Sequence, residues 1–513
     1  MNATEAIDQL DPQKWTTTSP AERLRLLEEI RANLKKYGDD LAFADSKMKN
    51  GILGAPLFSY PMSKVATVVP MASTVSAAII LYESILDGKM PQPLSVEKVS
   101  EDLYDIYVFP QERKDKLMYA DQKSRIRVKG APKQINPMEK PAGIIAVLGA
   151  GNYSSALEVL KAIFFENCAV VHKPHHLNEE TDRIWAKIMQ PLIERRVLSF
   201  CDTDRGHDLT VDPRLSRIYF TGGTATAEAI MSATETPLIS ECGGNNPCII
   251  VPGDRPWTKK EIEHQAVQIA TMAKFNGGAN CGRPQTLVTS KHWPQRKEFL
   301  DALRVAISET TPAMGMYYPG ADKVVDGFRQ AYPDAEVLSP EGGKYPHSDV
   351  ILLTDVEPGG YATSHEAFSL VLAEVPLDLP ANAAHFLPGP SSSPTPSSWA
   401  RSPVRYLSMR TPERPIRNYS SKRCLTWNMV RSPSTACRPS FFSTPILPGV
   451  EMRQARRSFL VAATLATYSI TRTLRNRSWR QSLCHQGTCC TPTSEHSTIW
   501  LETWRISQSS LPG

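Results

Sequence analysis

At 513 residues and 56.9 kDa, the chain is long enough for several domains and a large buried core. Its 41% hydrophobic and 22% charged residues are those of an ordinary globular protein, which excludes a wholly disordered or collagen-like one. The formal charge of +5 sums two unlike parts: residues 389–513 hold 17 Lys+Arg against 4 Glu and no Asp, a net +13 that leaves −8 for the first 388, so the total argues nothing for nucleic acid.

The first residues carry charge and no apolar run, so no secretory signal is expected. Ser19-Pro20-Ala21-Glu22 reads as a capping box with Pro at the first helical position, and Leu24, Leu27, Ile30 and Leu34 follow at helical spacing. Residues 65–82 are uncharged but include Pro70 and several Ser and Thr, which suits a buried helix better than a membrane span. The protein is expected to be soluble and cytoplasmic, without a membrane partner. Alternating segments at 105–109 and 124–128 predict strands. From Pro141 the pattern becomes strand, turn, helix, repeated: 143–148 then 154–165, 169–172 then 179–194, 218–220 then 224–232, 248–251 then 259–274. Short apolar strands alternating with helices predict an α/β fold whose parallel sheets are covered on both faces.

Three turns fall where such sheets bind ligands, at the carboxyl ends of their strands. The first is Leu148-Gly149-Ala150-Gly151-Asn152-Tyr153-Ser154, half of a dinucleotide fingerprint. The second ends the strand 169–172 in Lys173-Pro174. The third is Phe220-Thr221-Gly222-Gly223-Thr224, where small residues let an anion approach a helix N-terminus. Each alone reads equally as a tight turn needing Gly. Two further segments add chemistry. Glu241-Cys242-Gly243-Gly244-Asn245-Asn246-Pro247 places a carboxylate before a Gly pair, and Asn276-Gly277-Gly278-Ala279-Asn280-Cys281-Gly282-Arg283-Pro284 places a thiol in a loop after a helix. A thiol, a carboxylate and an amide donor are the parts needed for acyl chemistry through a thioester. The ten Cys show no paired metal-site spacing, and no metal is expected.

In this order, over most of residues 20–388, the chain resembles the aldehyde dehydrogenase superfamily. The resemblance implies two parallel-sheet α/β domains: a dinucleotide-binding domain over 1–240, with an oligomerisation hairpin at about 104–134, and a catalytic domain over 241–388. It implies Cys281 as nucleophile, Glu241 as general base and Asn152 as oxyanion donor. It further implies Lys173, Gly222, Gly223 and Thr224 as contacts of NAD or NADP, with Glu366 and Phe368 of His365-Glu366-Ala367-Phe368 beside the nicotinamide ribose. The activity implied is oxidation of a small-molecule aldehyde to a carboxylic acid, in a homo-oligomer. Two departures stand out. Cys242 replaces the family's Leu after the base. His175 and His176 stand where an acidic residue usually follows Lys-Pro, so weak discrimination between NAD and NADP is expected. Two rivals remain open: an acylating, CoA-dependent enzyme, which needs no hydrolytic base, and a catalytically inactive relative.

The second rival arises from the tail. The family's Asn-Thr-Lys-Leu-like helix end and Tyr-Gly-x-Val-x-Val-Asn-like strand are not in the chain as it stands. They emerge when the third base of each codon is read with the first two of the next. Residues 390–402 (PSSSPTPSSWARS) then admit Val-Glu-Phe-Ala-Asn-Thr-Lys-Leu-Val-Gly-(Thr/Ala)-Leu, with the Gly forced by Trp399-Ala400. Residues 427–435 (WNMVRSPST) give Glu, then Tyr or His, then a forced Gly, then codons admitting Thr-Val-Ala-Val-Asn. On this reading 389–513 is an out-of-frame translation, expected to lack order, and the catalytic domain and the oligomer strand are truncated. The competing reading is an authentic Arg/Ser-rich disordered tail that binds RNA or acidic partners. Resequencing the transcript across codons 380–395 decides between them. The frame-slip reading requires a one- or two-base discrepancy or an unrecognised splice junction there; an intact single frame contradicts it.

Overall fold

The computed structural model describes residues 1–111, 113–119, 123–252, 255–341, 345–386 and the strand 405–408. The expectations for the rest of the 389–513 tail lie outside the described residues.

The helix expected after Ser19 runs Pro20–Leu53, with the Ser19 side chain accepting from Glu22 N, and it ends at Gly54 in the left-handed region (φ 64°). The capping box is not closed: the Glu22 carboxylate pairs with Arg195 instead. A second helix, Tyr60–Leu86, packs along the first, with Val68 against Gly38. Among the described residues it is the one helix long and apolar enough to cross a membrane. Its Pro70, Met71, Val75, Ala78, Leu81 and Tyr82 are nevertheless buried, and Tyr82 Oη donates to Phe164 O at 2.8 Å. It is the core helix that its Pro and hydroxyl residues predicted.

The expected hairpin is a three-stranded antiparallel sheet, β1 (Ser95–Ser100), β2 (Leu103–Phe109) and β3 (Ser124–Lys129), in that order. Buried Asp105 pins β2 to β3 through Arg127 (2.6 Å) and Arg125 (3.1 Å).

Next come the strands β4 (Ile144–Leu148), β5 (Ala169–Lys173), β6 (Leu198–Phe200), β7 (Arg217–Thr221) and β8 (Leu238–Glu241). They form one parallel sheet in the order β6-β5-β4-β7-β8. Every residue of β4 is buried, as a strand covered on both faces requires. The order reverses at β4, with β5 on one side and β7 on the other, which opens a ligand crevice beyond their carboxyl ends.

A second sheet holds β9 (Asn246–Val251), β10 (Pro284–Ser290), β11 (Glu336–Leu338), β12 (Val350–Leu353) and β13 (Val371–Leu377), with β14 (Arg405–Ser408) at one edge. Its order is β11-β12-β13-β10-β9-β14, parallel except for β11. Two apolar clusters, one around Trp257, Ile262 and Phe299 and one around Val325, Phe328 and Phe386, carry its packing. The chain passes between the sheets in four residues, from Glu241 at the end of β8 to Asn246 at the start of β9. That short link brings the ends of both sheets to one place.

Candidate active site

The helix Lys259–Lys274 stops at a turn in which Asn276, Gly277 and Gly278 all take positive φ (55°, 65° and 80°). A side chain on Gly278 would strike the Ser369 backbone, and one on Gly277 the Gly315 carbonyl. Both glycines are therefore required by close approach as well as by backbone angle. The turn delivers Ala279, Asn280 and Cys281 to the mouth of the crevice. Asn280 Oδ1 accepts from Gly282 N at 2.8 Å. Asn246, the first residue of β9, donates from Nδ2 to Cys281 O (2.6 Å), Arg283 O (2.7 Å) and Gly244 O (3.0 Å). The backbone that carries the thiol is held from beneath.

Asn152 arrives from the other sheet, in the turn after β4, and is buried. Its Nδ2 donates to Ala279 O at 3.2 Å, two residues before Cys281. An amide NH₂ has two hydrogens, so one remains for a ligand. The Asn152 carbonyl accepts from Asn276 Nδ2 (3.0 Å) and Tyr317 Oη (3.2 Å). Asn276 Nδ2 also donates to Ala279 O at 3.0 Å.

Glu241 ends β8 with its side chain buried, and its carbonyl accepts from Gly222 N at 3.0 Å. The base candidate and the Gly-rich turn thus share a hydrogen bond. Gly244 follows on the same link. A Cβ there would overlap Glu366 Oε1 and lie 3.4 Å from the Cys281 Cα, so Glu366, Gly244 and Cys281 converge on one point. Gln285 places the Glu366 segment: Nε2 donates to His365 O (2.7 Å) and Oε1 accepts from Ala367 N (2.7 Å). Phe368, also at positive φ (43°), meets Tyr318 edge-to-face at 5.0 Å.

The predicted cofactor contacts lie along the crevice of the first sheet. Gly223 caps the ten-residue helix Thr224–Ala233, and nothing lies within 4 Å of where its Cβ would be, which leaves the amide end of the helix open to an anion. Lys173, at the tip of β5, donates to Thr203 O at 3.1 Å. Burial lowers its pKa, while the charges of Cys201 and Asp204 act to raise it. A carboxylate therefore does stand near Lys173, from the loop after β6 rather than directly after Lys-Pro. Sequence spacing gives no sign of it. The holding roles of Asn276, Asn246, Gln285, Tyr317 and Tyr318 leave no sequence signal either, since single polar or aromatic residues in turns or at strand starts make no periodic pattern.

A family model described as "Aldehyde dehydrogenase family" matches residues 115–315. Over 272 residues the chain is 29% identical to 4,4'-diapolycopene-4,4'-dial dehydrogenase of Cytobacillus firmus, covering 50% of this chain and 57% of that protein. Over 193 residues it is 26% identical to aldehyde dehydrogenase family 3 member B1 of Rattus norvegicus, covering 34% and 39% respectively. The chain thus spans little more than half the length of the first of these relatives and less of the second. An aldehyde dehydrogenase of Bartonella henselae superimposes with a TM-score of 0.53 at 19% identity, over 73% of this chain and 74% of that one. An NADP-dependent glyceraldehyde-3-phosphate dehydrogenase of Bacillus halodurans, complexed with NADP, does so at 0.55 and 15%, over 80% and 84%. The fold is that of these aldehyde dehydrogenases, and the sequence match to their family lies over residues 115–315.

His175 has a consequence of its own at this turn. Its ring packs so closely on Gly151 that a Cβ there would lie 2.7 Å from Cε1, and Nδ1 accepts from Leu177 N at 3.2 Å. Burial, then the neighbouring His176 and Lys173, push its pKa down to about 4. His175 is therefore neutral in the folded protein over the range where an ordinary His of pKa about 6.5 titrates. The unfolded chain binds the extra proton, so the stability this confers is present above about pH 6.5 and is lost as pH falls toward 4. Histidine NMR is expected to show one imidazole, absent in His175→Asn, still neutral at about pH 5, with the variant losing less stability between about pH 6.5 and 4.5. A His175 signal titrating near 6.5 contradicts the packing described.

Proposed function

We propose that this protein oxidises an aldehyde to a carboxylic acid with NAD or NADP, through a covalent adduct on Cys281. The observation that carries the reading is the convergence of groups from both sheets on the Cys281 loop, with the Asn152 amide tied to Ala279 and Glu366 packed on Gly244, which also abuts the Cys281 backbone.

The residues of the crevice fit a dinucleotide. The open N-terminus at Gly222, Gly223 and Thr224 suits a pyrophosphate, Lys173 a ribose hydroxyl, and Glu366 with Phe368 the nicotinamide end. When bound, the nicotinamide supplies a hydride acceptor. Every other step belongs to the chain. The Cys281 thiolate adds to the carbonyl carbon, and the resulting oxyanion is held by the remaining Asn152 N–H and the Cys281 backbone N–H. One such donor is worth about 10²–10³ in rate. Loss of hydride leaves a thioester on Cys281. Glu241 removes a proton from the water that attacks this thioester, releasing the acid and restoring the thiolate. The helix-end turn with its two glycines holds the loop bearing Cys281 against the Asn152 amide through Ala279, which limits the reorganisation needed before addition.

The presence of a buried carboxylate at Glu241 favours hydrolysis over transfer to CoA. The inactive alternative draws on the fraction of the curated relatives that the chain spans. Both are separated by one set of measurements. Cys281→Ala is expected to abolish oxidation while leaving cofactor binding nearly unchanged. Glu241→Gln is expected to leave a burst of reduced cofactor near one per site, followed by slow turnover. Sustained turnover in Cys281→Ala contradicts the covalent route, a lost burst in Glu241→Gln assigns that residue a structural role, and no reduced cofactor from any aldehyde supports the inactive reading.

A further inference from the structure

Arg283, two residues beyond Cys281, is among the largest fully buried side chains of the protein, 1% exposed. Its hydrogen bonds go to carbonyl oxygens alone: Nη2 to Val371 (2.7 Å), and Nη1 to Pro284 (3.3 Å) and Ala273 (3.5 Å). Its Nε is buried without an acceptor among the described residues. No carboxylate forms an ion pair with it among those residues. A guanidinium enclosed in this way needs a charge of opposite sign, because burying one alone costs several kcal/mol.

The partner that the fold provides is Glu366. Its carboxylate packs over Gly244, and Asn246 ties the carbonyls of Gly244, Cys281 and Arg283 together through one amide. Glu366 faces Arg283 and Cys281 from the loop they share, Tyr318 from the loop after residue 314, and the 241–244 link, which carries Glu241. Of these only Arg283 is cationic. Burial raises the Glu366 carboxyl above the usual carboxylate range, and Arg283 offsets part of that rise; burial, partly offset by Glu366, leaves the guanidinium at about 10, so Arg283 stays charged at neutral pH.

We propose that Arg283 is a positioning residue of the cofactor site: its buried guanidinium is the counter-charge that keeps the Glu366 carboxylate ionised, and so able to accept hydrogen bonds from the hydroxyls of a ribose. The link to cofactor rests on the function proposed above. The link between the two side chains does not.

The test separates them. Infrared difference spectra of wild type against Glu366→Gln report directly whether the Glu366 carboxyl is ionised near pH 7, and wild type is expected to show no protonated-carboxyl band. Arg283→Met is expected to acquire that band, the double variant to lose it, and Arg283→Lys to resemble wild type. Titration with NADH or NADPH is the second readout. Wild-type affinity is expected to be nearly flat between about pH 6 and 8, whereas Arg283→Met should weaken by up to about tenfold per pH unit on acidification, the limit for one proton. A protonated Glu366 in wild type overturns the proposal, a result that stands even where Arg283→Met does not fold. So does a folded Arg283→Met whose Glu366 remains ionised. If the infrared result is as expected but cofactor affinity ignores both pH and Glu366→Gln, the Arg283–Glu366 coupling holds and the cofactor role of Glu366 fails.

Discussion

One side chain ties the two halves of the site together. Asn276 sits at φ 55° at the end of the helix Lys259–Lys274, and its amide donates to the Asn152 carbonyl, the Ala279 carbonyl and the Tyr317 hydroxyl. Asn152 comes from the first sheet, while Ala279 leads into Cys281 and the second. Tyr317 closes the group through its own bond to Asn152 and packs edge-to-face on Phe58. Both Asn276 and Tyr317 are buried, and each hydrogen bond lost there would strand a polar group, at about 1–3 kcal/mol apiece. The left-handed backbone of Asn276 is tolerated because those contacts over-determine it, and the two glycines that follow take positive φ at no steric cost. This turn fixes the Cys281 loop against the Asn152 segment of the first sheet.

The parallel sheets were legible in the sequence because strands covered on both faces are written as short apolar runs. The run at 143–148 became β4, and the expected helix 259–274 coincides with Lys259–Lys274, whose start is marked by a Thr258–Glu261 capping box. β1 left no such trace: all but one of its six residues are exposed, so its sequence carries no apolar alternation. The Ser19 cap was read correctly, but its reciprocal half was not, because a tertiary partner, Arg195, takes the Glu22 carboxylate.

Within the site, the segments legible in advance were those marked by Gly, most of it at close approaches: Gly149, Gly151, Gly222, Gly244, Gly277 and Gly278. What escaped were the residues that hold these turns in place. Asn246 and Gln285 are embedded in strands, and their buried amides satisfy loop carbonyls that no local pattern points to. Arg283 was visible as a residue but not as a buried charge, since only the fold encloses it. At the far edge of the second sheet, the four residues of β14 pair with Cys248–Val251 of β9.

The central claim is that both sheets converge to make Cys281 an acyl carrier. Mass spectrometry of peptides from the full-length Glu241→Gln variant, quenched with acid after mixing with an aldehyde and NAD or NADP, tests it most directly. The account predicts an acyl group, lighter by two hydrogens than the simple aldehyde adduct, on the peptide bearing Cys281 and dependent on the oxidised cofactor. An acyl group on another cysteine, or reduced cofactor formed with Cys281 left unmodified, would contradict it.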